Sequence, residues 1–116
     1  MHKPKLPVRF FRSPEGREPV RIWLKALPDE ERKTIGDDIR TVQFGWPIGM
    51  PLVRKMETGL WEVRVELRDR IARVLFTVVD DQAVLLHGFI KKSAKTPALD
   101  LETARRRRNL LKFAKE

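Results

Sequence analysis

Residues 71–91 read IARVLFTVVDDQAVLLHGFIK and decide the fold. Two runs of apolar and β-branched side chains flank the polar stretch 80–82, a pattern typical of two antiparallel strands joined by a tight turn. Arg73 interrupts the first strand and His87 the second, and neither residue is an ordinary core-filler. The hairpin therefore predicts both the centre of a sheet and a candidate polar site on it.

Strand alternation assigns these side chains to faces. We expect Arg73 to share a face with its apolar neighbours Ile71 and Leu75. On the second strand, the same alternation predicts that His87 lies on one face with Leu85, Phe89 and Lys91.

Residues 60–67, LWEVRVEL, predict a further strand before this hairpin. The apolar side chains alternate with Glu62, Arg64 and Glu66, so we expect those three polar residues to face solvent. Residues 67–70 turn the chain into the next strand. Together the three strands form an antiparallel meander.

Pro and Gly residues, which interrupt secondary structure, and the spacing of apolar residues define the elements in the rest of the chain. In the first half, apolar residues recur at intervals of three and four between Pro and Gly residues, which indicates helices. The predicted elements, in order, are a short edge strand at 8–12, a helix from Pro19, a second helix from Pro28 to Gly45, a loop over 45–59, the meander, and a helix from Asp100.

This order predicts an α+β domain: a small twisted antiparallel sheet with an N-terminal helical hairpin on one face and a C-terminal helix. No composition shift marks a boundary, so we expect residues 1–116 to form a single domain. No apolar run reaches the roughly 20 residues of a membrane span, and residues 1–5 lack the apolar core that a signal peptide would need. The absence of cysteine suits a reducing compartment, so we expect a cytoplasmic protein with no membrane partner.

The charge balance points to an anionic partner. The chain has 25 Lys and Arg against 16 Asp and Glu, a net charge of +9. Nucleic acid fits best, because phosphate neutralisation by cationic side chains supplies most sequence-independent affinity. An acidic protein or a membrane surface would also fit as the anionic partner. The remaining alternative is that the charge simply maintains solubility.

Several segments resemble the HigB-like, phage-derived branch of the RelE/ParE toxin superfamily. They are FRSPEGREPV at 11–20, GLWEVR at 59–64, RVLF at 73–76, LHGFIKK at 86–92 and KTP at 95–97. The resemblance covers nearly the whole chain. It implies a toxin of a type II toxin-antitoxin module that cleaves mRNA on the ribosome and is held in check by a helix-turn-helix (HigA-like) antitoxin.

Such cleavage without metal requires a base for the 2′-OH, charge stabilisation at the phosphate and an acid for the leaving oxygen. His87 is the best acid-base candidate, because it titrates near neutral pH. Arg73 is predicted to bind the phosphate, and Lys91 and Lys92 to stabilise the transition state or act as acid. The sequence contains neither a glycine-rich phosphate loop nor a cluster at metal-ligand spacing, so no cofactor or metal is predicted.

Four further residues are predicted to contact RNA. Arg64 lies on the strand beside Arg73 and could share its phosphate, and Lys95 follows the strand end. Phe76 and Phe89 are candidates to stack on bases. The ordinary alternatives are core positions for the two phenylalanines, surface ion pairs for the arginine, and solvated lysines.

The sequence leaves the roles of two carboxylates and of one cationic run open. Glu62 and Glu66 could supply a general base, and the run 105–108 could contact ribosomal RNA or the antitoxin, although a solvated helix face explains it equally well. Two different functions also remain: a ParE-like inhibitor of DNA gyrase, and a non-catalytic, prophage-derived nucleic-acid-binding protein. The superfamily fold alone does not separate them.

Overall fold

The computed structural model of the protein describes residues 3–91 and 96–115, with side-chain surroundings as far as residue 111. It confirms the predicted α+β class and fits a RelE-like fold. In chain order the elements are β1 (Val8–Phe10), α1 (Pro19–Lys25), α2 (Asp29–Gly45), β2 (Val53–Glu57), β3 (Leu60–Glu66), β4 (Ile71–Val79), β5 (Gln82–Lys91) and α3 (Ala98–Lys115).

The sheet has five strands in the order β1-β5-β4-β3-β2. The predicted meander is present as β3, β4 and β5, and β1 is an edge strand as expected. However, β1 pairs in parallel with β5, so the sheet is mixed rather than antiparallel. The helical hairpin between β1 and the meander carries the chain across one face of the sheet, and such a crossover is what parallel pairing requires.

The prediction of a loop over residues 45–59 was wrong in its second half. Residues Val53–Glu57 form β2, which pairs antiparallel with β3 and makes the second edge of the sheet. The segment carries exposed Arg54 and Lys55 and lies close to several Pro and Gly residues, so its composition resembles a loop. Charged side chains on a short edge strand also discourage pairing with another chain, which explains this composition.

The helices α1 and α2 cover one face of the sheet. The predicted stripe of α2, Ile35, Ile39 and Val42, is buried there against side chains of β3 and β4. Helix α1 packs on β5 through Trp23, whose ring lies on Gly88. Because a Cβ atom on Gly88 would lie 2.3 Å from Cε3 of Trp23, only glycine fits this position.

The opposite face carries α3, whose Ala104 is fully buried among apolar side chains of β3, β4 and β5. This coverage corrects the expectation that Glu62 faces solvent: the side chain is directed to this face, but it is 1% exposed. The alternating pattern identified the face correctly. It could not show that the C-terminal part of the chain returns to cover it.

An irregularity in β5 corrects the predicted surroundings of His87. The register shifts between Leu75 and Phe76 of β4, so that Phe76 pairs with Leu85 and Leu75 with His87. One extra residue in β5 is thereby accommodated, as in a β-bulge. Leu85 consequently joins the core under the helical hairpin, whereas His87 is turned toward α3.

The β4–β5 turn is tighter than residues 80–82 suggested. Asp80 and Asp81 both have positive φ, 51° and 60°, and Val79 pairs directly with Gln82. This is the geometry of a two-residue type I′ turn, which matches the twist of antiparallel strands. Among the described residues, no helix is both long and apolar enough to cross a membrane.

We predict that Gly88→Ala destabilises the protein by about 1–3 kcal/mol, because the added methyl group must displace the Trp23 ring from a packed position. Urea unfolding followed by tryptophan fluorescence measures the change. The matched control is Gly36→Ala in α2, where an added Cβ meets nothing within 4 Å. That variant should be stabilised by about 0.5–1 kcal/mol, since alanine favours a helix over glycine. Equal stability of the two variants would contradict the close packing.

Candidate active site

Three predicted site residues form one cross-strand row on the face of the sheet that carries α3. The row lies where β3 and β5 end and β4 begins. Cross-strand pairing places Arg64 beside Arg73 and Arg73 beside Phe89. In the next row, Glu66 is beside Ile71 and Ile71 beside Lys91. Directly opposite residues on one face of a sheet lie about 4.5–5.5 Å apart at Cβ, so the structure brings these predicted residues together.

The side chain of Arg73 is buried on this face and belongs to a hydrogen-bonded network. Its Nη1 atom donates to Oε1 of Glu62 at 3.0 Å and to Oγ1 of Thr96 at 3.2 Å. The Thr96 hydroxyl in turn donates to the other carboxylate oxygen of Glu62 at 2.6 Å. The side chains of Arg73 and Glu62 are 2% and 1% exposed, so a charge-assisted triangle links β3, β4 and the segment before α3.

This network changes the interpretation of both charged residues. The guanidinium of Arg73 is committed to Glu62 and Thr96 and is almost inaccessible, so in this conformation it is not available as a direct phosphate ligand. Glu62, interpreted as a surface carboxylate or a general base, is instead the buried acceptor that holds the network together. A buried guanidinium among apolar neighbours must offset its desolvation cost, and the pairing with Glu62 does so.

Arg64 is the accessible arginine of the row. It is half-buried, and its Nε atom is buried without an acceptor in the part of the chain that the structure describes. Lys91 is half-buried at the end of β5, and neither residue forms an ion pair among the described residues. Lys92 and Lys95, also predicted for this site, lie outside the described residues.

His87 is held between β5 and α3 by both ring nitrogens. Its Nε2 atom lies 2.6 Å from Oδ1 of Asp100, and its Nδ1 atom lies 3.3 Å from Nη1 of Arg107. Arg107 can only donate, so Nδ1 accepts and the neutral ring carries its proton on Nε2, directed at the carboxylate. The ring also stacks on Phe89, with centroids 5.5 Å apart, which connects His87 to the row of Arg64 and Arg73.

The two predicted base-stacking residues have different surroundings. Phe76 is 1% exposed and forms an aromatic cluster with Trp46 and Trp61 under the helical hairpin, on the face opposite the candidate site. Its ring is therefore unavailable to a base, and the predicted RNA contact of Phe76 is wrong. Phe89 is on the correct face, but it is 9% exposed and already stacked on His87.

The cationic run 105–108 is divided by the helical pitch of α3. Arg105 and Arg108 both donate to the carboxylate of Glu57 on β2, and Arg107 donates to the carbonyl oxygen of Leu86 at 2.8 Å. Hydrogen bonds from Arg105, with a smaller contribution from Arg108, hold the pKa of Glu57 below its usual value. Three of the four cations therefore dock α3 on the sheet, and Arg106 is the exposed one.

Ion pairs within the chain affect the charge of the surface that α3 leaves uncovered. On the α3 side of the sheet, the carboxylates of Glu57, Glu62 and Asp100 all contact cationic or imidazole groups of the chain itself. Arg54, whose register partner is Glu62, is exposed on the same face. The open part of this face presents Arg54, Arg64 and Lys91. Arg64 lines a cleft with Asp38 and Glu66, and Lys91 lines one with Glu66 and Asp69. None of the three cations forms an ion pair with a described carboxylate. Such a surface attracts phosphate groups.

Sequence reasoning missed the roles of several residues around this site. Thr96 and Asp100 were recognised only as parts of the motif before the last helix and of that helix, and Arg107 only as part of a cationic run. The tripeptide KTP and the acidic residue in the first turn of α3 were the available signals. Among the described residues, no group of three His, Cys, Asp or Glu side chains could hold a metal ion.

The sheet with its N-terminal helical hairpin and packed C-terminal helix defines the class of RelE-like toxin folds. A family model described as "Phage derived protein Gp49-like (DUF891)" matches residues 22–109. The chain therefore belongs to the Gp49-like phage-derived family, which is part of the RelE/ParE-like toxin group. No curated protein matches the chain.

We predict that Arg73→Ala destabilises the protein by about 3–5 kcal/mol, because it leaves the buried Glu62 carboxylate without its cation. Chemical denaturation followed by circular dichroism measures this loss. Arg21→Ala is the matched control, since it breaks the exposed ion pair with Glu18 and should cost less than about 1 kcal/mol.

A double variant separates the lost charge pair from the lost packing. Glu62→Leu combined with Arg73→Met replaces both charges by apolar groups and should recover most of the stability lost in Arg73→Ala. If Arg73→Ala were as stable as Arg21→Ala, the buried pair would carry no weight in the fold.

Proposed function

We propose that this protein is the toxin of a type II toxin-antitoxin module and acts as a metal-independent endoribonuclease on mRNA at the ribosome. Membership of the Gp49-like family within the RelE/ParE-like group supports the toxin class. The HigB-like motifs support the mRNA substrate. The observation that carries the proposal is the open face on which Arg54, Arg64 and Lys91 form no ion pair with a described carboxylate, while Glu57, Glu62 and Asp100 are paired internally.

In this proposal Arg64 is the main phosphate ligand. Its side chain is half-buried and forms no ion pair among the described residues, so a phosphate could serve as its anionic partner. A guanidinium can bind two phosphate oxygens at once, so it both orients the scissile group and stabilises the charge that develops there. Lys91, in the adjacent row, adds a second cation, and Lys92 and Lys95 remain candidates for the same role.

His87 is the proposed acid-base group. Its Nε2–H is held by Asp100, and Nδ1 has the weaker contact, 3.3 Å from a guanidinium that also binds Leu86 at 2.8 Å. A ribose 2′-OH that replaced Arg107 at Nδ1 could transfer its proton there, while Asp100 stabilised the resulting imidazolium. The 2′ oxygen would then bond to phosphorus as the bond from phosphorus to the 5′ oxygen breaks, and Lys91 would donate a proton to that leaving oxygen. Arg73 then acts indirectly, by holding Thr96 and the start of α3 in place.

The proposed partners follow from the same assignment. The ribosome would present single-stranded mRNA to the cationic face, and a helix-turn-helix (HigA-like) antitoxin would neutralise the toxin. A second candidate, a non-catalytic nucleic-acid-binding protein, is favoured by one specific observation: both nitrogens of His87 are engaged within the chain. Cleavage assays distinguish the two candidates.

We predict that expression without an antitoxin stops protein synthesis before DNA synthesis, because mRNA cut on the ribosome cannot be translated. Pulse labelling measures the order of the two effects, and mapping of transcript 5′ ends should find cuts within translated frames. If DNA breaks and loss of DNA synthesis came first, the gyrase-inhibitor alternative would be correct.

His87→Ala provides the test of the mechanism in the same experiment. A positioned acid or base contributes about 10² to 10⁴ in rate, so this variant should cleave ribosome-bound mRNA slower by a comparable factor. Thermal melts verify that it is folded. A folded variant that cleaves at the parent rate would show that His87 only docks α3.

RNA affinity should depend on Arg64 and on salt. We predict that Arg64→Ala lowers the slope of log affinity against log salt by about 0.7, the value for one phosphate contact on a single strand. Fluorescence anisotropy of a labelled single-stranded RNA at several salt concentrations measures the slope. The control, Arg40→Ala, removes an exposed cation of α2 on the opposite side of the sheet and should keep the parent slope. Identical slopes for both variants would exclude Arg64 as a phosphate ligand.

A further inference from the structure

A cleft of about 400 Å³ lies beside α3, away from the row of Arg64 and Arg73. Its walls come from the turn after β1, from α1 and from α3. The residues that line it are Ser13, Glu15, Arg17, Pro19, Ile22, Trp23 and Arg107. It therefore combines two guanidinium groups with an indole ring and an exposed aliphatic side chain, whereas its one carboxylate belongs to the exposed Glu15.

Arg107 is the central cation of this cleft. It donates to the Leu86 carbonyl and contacts His87 and the Phe11 ring, but none of the described carboxylates lies within ion-pair distance of it. Burial, assisted by the charge of Arg106, lowers the pKa of Arg107. A partly desolvated cation with only neutral partners favours an incoming anion.

Arg17 faces the same cleft from a well-defined turn. The Ser13 hydroxyl accepts a hydrogen bond from the Arg17 backbone N–H at 3.0 Å, and the Ser13 N–H donates to the Arg17 carbonyl at 2.7 Å. Gly16 completes the turn with φ of +87°, a conformation that other residues rarely adopt. The backbone position of Arg17 at the cleft is therefore fixed by this turn before any ligand binds.

The apolar wall brings the cleft close to the candidate active site. Trp23 rests on Gly88, and Arg107 on the opposite wall contacts His87. The cleft thus borders two consecutive residues of β5, one of which is the proposed acid-base group. Ile22, 55% exposed, extends the apolar wall next to Trp23.

We propose that this cleft is a subsite for one nucleotide of single-stranded RNA, with a phosphate between Arg17 and Arg107 and the base against Trp23 and Ile22. The inference rests on the proposed RNA substrate and assigns it a second contact region beside His87. Guanidinium groups match phosphate oxygens, and an aromatic ring stacks on any base, so the subsite provides affinity without selecting sequence.

Binding of RNA to the isolated protein tests the subsite without requiring cleavage. The probe is a labelled uridine RNA of about ten nucleotides, within the length that one small domain covers. Arg17→Ala and Arg107→Gln should each weaken binding about tenfold, as expected for a lost charged hydrogen bond. Because the two arginines share one phosphate, the double variant Arg17→Ala/Arg107→Gln should lower the salt slope by about 0.7. Arg21→Ala, an exposed cation of α1 that does not line the cleft, should match the parent.

Tryptophan fluorescence tests the base contact. Uridine RNA should quench the parent protein, and Trp23→Phe should remove most of that quenching, since Trp46 and Trp61 are packed against each other. Arg107→Lys should retain part of the affinity, because it keeps the charge. Thermal melts establish that each variant is folded.

The outcomes separate this inference from the proposed function. Loss of RNA affinity in Arg17→Ala and Arg107→Gln supports the subsite even if the parent protein never cleaves mRNA. Parent affinity and slope in folded Arg17→Ala and Arg107→Gln overturn it, even if the parent is an active nuclease. The same two variants binding RNA normally but losing a helix-turn-helix antitoxin would also overturn it, and would identify the cleft as a protein-docking surface.

Discussion

The buried carboxylate of Glu62 connects three segments that are distant in sequence: its own strand β3, Arg73 on β4, and Thr96 just before α3. Moving such charges out of water costs several kcal/mol each, and the cost is offset only when each group finds its partners. An arrangement that lacks one of the three leaves a charged or polar group unsatisfied in the interior. The network thus holds Thr96, directly before α3, against β3 and β4, and the site on that face depends on this attachment.

The docking of α3 then determines which charges remain available. Glu57 binds Arg105 and Arg108 on one flank of the helix, while Asp100 and Arg107 hold His87 on the other. The carboxylates of Glu57 and Asp100 are used to attach α3. Cations that form no ion pair with a described carboxylate lie both beyond the beginning of that helix and in the cleft beside it.

His87 lies between these two cationic regions. Its ring stacks on Phe89, which belongs to the row of Arg64 and Arg73, and its Nδ1 contacts Arg107, which lines the cleft. An RNA strand bound to both regions would cross the histidine. Both ring contacts come from α3: Asp100 lies at Nε2 and Arg107 at Nδ1, so this helix determines the tautomer of the imidazole.

Local pattern alone determined the α+β class, the helical hairpin, the β3–β5 meander and the position of Arg64 beside Arg73. These features depend on the spacing of apolar residues and on turn residues, which neighbours in sequence define. Tertiary structure decided the rest. Glu62 is buried because other parts of the chain cover its face of the sheet. The partners of His87 depend on the bulge in β5 and on the docking of α3. Phe76 lies in the core, where it packs against Trp46 from the end of α2. Those contacts join residues far apart in the chain, so no local pattern encodes them.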